Sequence, residues 1–308
     1  MVGSFSLVPQ VERPAMQVFI AGATGVLGRR LVDRCADRGH DVVGLSRDEA
    51  GDEVVRSAGG VPRRGDVLDS DAIVEAATGA DVLVHAATKI PTDTNPDDAD
   101  WERNDRVRRE GAENIIAAAA AHDADRVVLQ SVVWLARQPD GSRFDEDANP
   151  NPDRSTRSAL AAERIVEDGA VTDEFDPVVL RGGYFYAPDT VHTRMFGERL
   201  RDRRMPIVAG GLLGRDDAAL SFVHVDDAAS AFAAAVDGDA TGTFHVVDDR
   251  PTTYATFLET FAALLDAPSP RRIPAWLARF AIDDNMRRLL TEPMPTTNDR
   301  LREAFDWE

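Results

Sequence analysis

The chain has 308 residues, with 54 acidic side chains against 35 basic ones and a net charge of −19. That balance argues against nucleic acid or an anionic membrane as a partner, and the length suffices for one large domain or two smaller ones. A lone cysteine, Cys35, excludes an internal disulfide, no run reaches the ~18 apolar residues of a membrane helix, and no basic-then-apolar leader opens the chain, so a cytoplasmic protein is expected.

Residues 1–15 read as a flexible extension. The apolar run Val18 to Ala21 then reads as a buried strand, followed by Gly22-Ala23-Thr24-Gly25-Val26-Leu27-Gly28 and a helical pattern through Leu31, Val32 and Cys35. The glycine spacing is GxxGxxG. Gly22 permits a tight turn, Gly25 lets a phosphate approach the backbone, and Gly28 lets the helix lie close to the strand. The N–H groups at the start of that helix then face a pyrophosphate. Strands follow at Asp41–Leu45, Val61–Gly65, Asp81–His85, Arg126–Ser131 and Pro177–Arg181. Helices are expected at Asp48–Ser57, Ser70–Ala77, Trp101–Ala121 and Ser155–Asp168, with a polar loop from Gln138 to Asp153. Strands alternating with helices imply an α/β fold with a doubly wound parallel sheet, whose ligands bind at the carboxyl ends of the strands.

Those strand ends carry the candidate residues. The second strand ends Ser46-Arg47, where an acid would bind the ribose hydroxyl of NAD. A small neutral residue followed by arginine favours the 2′-phosphate of NADP, unless Arg47 pairs with Asp48 or Glu49. Asp66 and Val67 follow the third strand and can read an adenine edge. His85-Ala86-Ala87-Thr88 follows the fourth, with Ala86, Ala87 and Thr88 letting the backbone run under a nicotinamide ribose. His85 itself reads as packing. No cluster has metal-ligand spacing.

Taken in order, these segments resemble the extended short-chain dehydrogenase/reductase superfamily, in its NAD(P)-dependent epimerase/dehydratase-like branch. Further support comes from Val178–Pro188 (Val-Val-Leu-Arg-Gly-Gly-Tyr-Phe-Tyr-Ala-Pro), Ser221–Ala229 (Ser-Phe-Val-His-Val-Asp-Asp-Ala-Ala), Gly242–Val246 and Leu301–Trp307. The resemblance implies a Rossmann-type domain over 16–181 and a smaller, mostly substrate-binding lobe over 182–308, with 243–247 returning to the main sheet. It implies a small-molecule substrate, and a homodimer through helices 101–121 and 155–168.

The resemblance fails at the family's Tyr-x-x-x-Lys pair, whose positions here hold Ser155 and Ala159, while the catalytic Ser/Thr falls at Val132 and a helix asparagine at Arg108. Three residues are candidates to replace that relay. Ser131 would bind the reacting oxygen, and Tyr184 would act as acid. Lys89, the only lysine in a chain that otherwise uses arginine, sits at the lip of the cleft. An acid-rich, lysine-poor chain also fits a halophilic cytoplasm, where salt screens self-repulsion. Three readings stand: an NADP-linked oxidoreductase or epimerase on a sugar nucleotide or other small carbonyl or alcohol; a catalytically silent cofactor-binding sensor or assembly protein; and a reductase of a larger apolar substrate walled by Trp134, Phe185 and Tyr184. In the lobe, an arginine-rich helix is expected over His192–Arg203, an Asp cap at Asp226-Asp227 before a helix Ala228–Val236, and helices at Tyr254–Leu265 and Trp276–Ile282.

Overall fold

The computed structural model describes residues 14–91, 97–213, 217–278, 280, 282 and 284–308; nearly all of the expected extension, residues 1–13, lies outside them. The first half runs β1 (Gln17–Ala21), α1 (Val26–Asp37), β2 (Asp41–Ser46), α2 (Glu49–Ser57), β3 (Val61–Arg64), α3 (Ser70–Ala76), β4 (Val82–His85), α4 (Asp98–Ala121), β5 (Arg126–Val132), α5 (Arg157–Asp173) and β6 (Asp176–Gly182). The second half runs β7 (Tyr184–Tyr186), α6 (Val191–Arg201), β8 (Ile207–Ala209), β9 (Ala219–Leu220), β10 (Phe222–His224), α7 (Val225–Asp237), β11 (Gly242–Val246), β12 (Thr252–Thr253), α8 (Tyr254–Leu264), β13 (Arg272–Pro274), α9 (Ala275–Ala278), α10 (Asp284–Thr291) and α11 (Asp299–Phe305).

Seven strands form one parallel sheet in the order β11-β6-β5-β4-β1-β2-β3. It is a Rossmann-type doubly wound sheet, and the period-two alternation of side chains gives each face its own core. Val18, Ile20, Val84, Val128 and Leu180 face α1 and α7. Phe19, Ala21, Leu83, Leu129 and Val179 face α3, α4 and α5. The chain winds outward in opposite directions from β1 and β4, so the switch point lies between their carboxyl ends. The smaller lobe carries three two-stranded sheets, β10-β7, β12-β9 and β13-β8, around a core that includes Leu200, Val208, Phe222 and Leu258.

Helix ends differ from the expectation where side chains cap them. α4 starts three residues before Trp101, because Asp97 accepts from the Asp100 backbone and the Asp100 side chain accepts from Asp97 in return. α7 starts at Val225 rather than Ala228: the His224 ring, not the Asp pair, accepts from the Asp226 N–H, and Asp226 and Asp227 sit in the first turn, where the helix dipole favours acids. α9 covers only Ala275–Ala278 of the expected 276–282 helix, part of which lies outside the described residues.

A Cβ placed on Gly28 would lie 2.0 Å from the Gly22 carbonyl oxygen. Gly28→Ala therefore pushes α1 off β1. The expected cost is roughly 2–3 kcal/mol, read as a fall of several degrees in thermal midpoint in molar potassium chloride.

Candidate functional site

The glycine turn fits a dinucleotide. Gly22 has φ +93°, and a Cβ there would lie 2.6 Å from both the Ala86 carbonyl carbon and the Ala87 nitrogen. The turn is closed by the Gly25 N–H donating to the Gly22 carbonyl at 2.9 Å. Gly25 caps α1 without a side chain, so the N–H groups of Val26 and Leu27 open toward the strand ends. Thr24 and Val26 are half-buried beside them, and Leu27 packs into the core. A pyrophosphate would meet backbone donors and the positive end of a helix here.

Two arginines on α1, Arg29 and Arg30, serve a different purpose. Arg30 makes paired 3.0 Å bonds to Asp189, and Arg29 also pairs with Asp189 while Arg30 reaches Asp226. Hydrogen bonds from Arg30 outweigh partial burial and hold the Asp189 carboxyl down at about 2. The segment after β7 is thus tied over the glycine turn.

At the end of β2, the buried Ser46 hydroxyl donates to Asp52, whose other oxygen takes Arg64 at 3.0 and 3.1 Å. Asp48 is occupied as the cap of α2, accepting from Gly51. Arg47 is exposed and makes no ion pair among the described residues. Asp66 accepts from the Leu68 N–H, and the Val67 carbonyl accepts from Asn114. The Val67 N–H has no partner among the described residues. His85 is buried, with Nε2 3.2 Å from the Val107 carbonyl, and burial pulls its pKa down to about 4. It is a neutral packing residue under α4. Ala86, Ala87 and Thr88 follow it, the first two lying under Gly22.

Beyond the switch point lies a cavity of about 160 Å³ bounded by Trp101 and Arg108 from α4, Ser131 from β5, Trp134, Ser155, and Tyr184 and Phe185 from β7. Ser131 and Tyr184 line it. Lys89 does not: its side chain is exposed, and its backbone N–H donates to the buried Asn104 at 2.9 Å. The Ser131 hydroxyl donates to Glu163 on α5, which receives both Nε and Nη2 of Arg181 at 2.9 and 2.8 Å. Tyr184 stacks on Phe196 and meets Phe222 edge-on. Its hydroxyl has no partner among the described residues, and burial pushes its pKa up, opposite to the shift a neighbouring cation would give. Ser155, at the tyrosine position, donates to Asp153 at 2.7 Å. Burial alone would raise the Asp153 carboxyl; Ser155, Arg137 and Thr156 outweigh it and hold it below its usual range.

Sequence reasoning missed the buried charges that shape this cavity. Arg181 closes an otherwise apolar strand, and a charge there demands a buried partner; that was the available signal for Glu163. Arg137 is 1% exposed between Asp153 at 3.0 Å and Glu292 at 3.3 Å. Arg108 is 5% exposed, and among the described residues its guanidinium donates only to the Ser155 carbonyl, at 3.0 Å. Among the described residues no three His, Cys, Asp or Glu side chains are grouped to hold a metal, and no helix is long and apolar enough to cross a membrane.

A parallel doubly wound sheet, a glycine turn at its switch point and a side lobe closing a cavity beside it define a dinucleotide-binding protein of the short-chain dehydrogenase/reductase type. Residues 18–247 match the model of the NAD dependent epimerase/dehydratase family, and the chain belongs to that family. It is 35% identical over 308 residues, covering 95% of this chain and 96% of the relative, to the 3-diazoavenalumate denitrifying reductase of a Streptomyces species. It is 26% identical over 272 residues, 82% of this chain and 77% of the relative, to the 2-alkyl-3-oxoalkanoate reductase of Stenotrophomonas maltophilia. Among solved structures, the UDP-glucose 4-epimerase of Thermus thermophilus, in complex with NAD, superposes with a TM-score of 0.76 at 20% identity, covering 95% of this chain and 94% of that one.

Buried neutral His85 gives a pH test. Its folded pKa of about 4 lies below the unfolded value of 6.5, so its contribution is complete above 6.5 and is lost as pH falls through 4. Between pH 7.5 and 4.5 the wild type should lose about 2 to 3 kcal/mol more than His85→Gln, measured by denaturant unfolding at each pH.

Proposed function

We propose that this chain is a nicotinamide-dependent reductase, using NADP in preference to NAD, of a small substrate with a flat apolar body. The observation that carries the proposal is the aromatic-walled cavity next to the switch point, in which the Tyr184 phenol has no cation beside it among the described residues. The names of the two relatives, both reductases, support the reductive direction. Under this reading Gly22, Thr24, Gly25, Val26, Leu27 and Gly28 hold the pyrophosphate, Ser46 and Arg47 the adenosine ribose, and Asp66 and Val67 the adenine. Ala86, Ala87 and Thr88 carry the nicotinamide ribose. A homodimer through the outer faces of α4 and α5 and a salt-rich cytoplasmic setting belong to the same reading.

When bound, the nicotinamide supplies a hydride. The protein's own task is to hold the acceptor flat between Trp134 and Tyr184 and to keep water out. Ser131 already donates its proton to Glu163, so it is an acceptor toward the cavity. Tyr184 is a wall, since its phenol is shifted away from proton exchange at neutral pH. Lys89 acts through its backbone N–H. A site in which no described residue is placed as a proton donor to the acceptor suits one that needs no proton. At a diazonium carbon the balance closes that way: a C–H bond forms, the C–N bond breaks, two electrons enter and dinitrogen leaves.

Two experiments test this. In molar potassium chloride, NADPH should bind more tightly than NADH, and Arg47→Ala should weaken NADPH about tenfold with NADH unchanged; preference for NADH in the wild type overturns the cofactor assignment. With 4-diazobenzoate, one dinitrogen should appear per NADPH oxidised, above the uncatalysed rate, and Lys89→Arg should stay within about twofold of wild type on the reading that its side chain is solvated. Oxidation of NADPH by ketones but not by the diazonium would overturn the proton-free reading.

A further inference from the structure

The cavity holds one cation with no ion-pair partner among the described residues. Of the charged side chains lining it, Arg137 and Asp153 pair with each other, and Arg137 also meets Glu292. Burial keeps His192, at the mouth, on the neutral side. Arg108 makes no ion pair among the described residues. Its Nη1 is used by the Ser155 carbonyl, and its remaining donors have no partner among the described residues. Asp105 and Glu163 favour its charge through space, but each is paired with another arginine: Asp105 with Arg154 at 2.7 Å, and Glu163 with Arg181 at 2.8 Å.

We propose that the Arg108 guanidinium is the receptor for the carboxylate of a flat aryl acid bound in this cavity. The inference rests on reading the cavity as the substrate site. Removing an ion from water is expensive unless a partner compensates it, and in a chain with net charge −19 a buried arginine without an ion pair among the described residues stands out. The planar fork of a guanidinium matches a carboxylate with two parallel bonds. The apolar remainder of the ligand is set by Trp101, Trp134 and Phe185, and a cavity of roughly 150 Å³ takes one benzene ring, close to the volume present here. One unmatched cation answers one negative charge. A nucleotide diphosphate carries more, and needs more donors than this wall offers. A merely structural arginine, bracing α4 against the start of α5, would not distinguish an acid from its amide.

The test is calorimetric titration of the NADP⁺-loaded protein with trans-cinnamate and with cinnamamide, in molar potassium chloride. Cinnamate should bind roughly ten- to hundredfold more tightly than the amide, as expected for charge-assisted hydrogen bonds. Arg108→Met should abolish that preference while leaving NADP⁺ affinity unchanged. If Arg108→Met does not fold, Arg108→Lys takes its place and should lower the preference at least fivefold, because an ammonium cannot make the paired contact. Equal binding of acid and amide, no cinnamate binding at millimolar concentration, tighter binding of UMP than of cinnamate, or an unchanged preference in the variant each overturns the proposal. Loss of NADP⁺ binding by the wild type would instead count against the cofactor assignment, and cinnamate can still be titrated into the cofactor-free protein.

Discussion

α1 lies against β1 at a distance that admits no side chain on its inner face at Gly28, and Gly22 turns the chain under Ala86 at an equally close approach. These two contacts fix where the helix begins and where its free N–H groups point. They bring the end of β4 beneath the same opening, since Ala86 follows β4 directly and its N–H bonds to Ala21. The lobe is then registered against α1 by Arg29 and Arg30, which grip Asp189 just past β7. The glycine turn and the cavity wall, on separate parts of the chain, are thereby held in one geometry.

The second organising feature is the treatment of buried charge. Glu163 satisfies a serine on β5 and an arginine on β6 at once, joining two strands and a helix on the cavity side. Arg137 performs the corresponding task for the loop before α5 and for α10. A guanidinium can serve several acceptors from one fixed plane, which an ammonium does less well in a dry site. The preference for arginine is therefore consistent with the interior as well as with an acidic surface. The cost of these pairs lies in desolvation, and their benefit in a cavity wall that does not rearrange.

Most of the fold was legible because its signals are local. Strands such as those built on residues 18–21 and 82–84 are continuous apolar runs buried on both faces, and the turns between them carry glycine. The capping residues were less legible. His224 and Asp97 act through a ring and a reciprocal pair, whereas the eye goes first to Asp226-Asp227 and to Trp101. In the site, the glycine turn could be read from order and spacing. The cavity could not. Arg108 and Ser155 are 47 positions apart, and Arg137 and Glu292 are farther still. Nothing in either segment alone announces that a helix arginine will reach a loop carbonyl. Lys89 drew notice as the single lysine, yet composition carries no information about where a side chain points.

The seat of Arg137 also changes what the end of the chain is. Glu292 on one side of that guanidinium and Leu289 in the cavity lining belong to α10 and the residue after it. A little further on, the Thr296 hydroxyl donates to the Phe144 carbonyl and lies 2.7 Å from Nδ1 of His245 on β11. The final stretch is therefore masonry shared by two lobes, not an appendage. A cut in the backbone ahead of α10 would open the cavity while leaving the glycine turn and its helix intact, and under the proposed reading it would separate capture of the dinucleotide from any use of it.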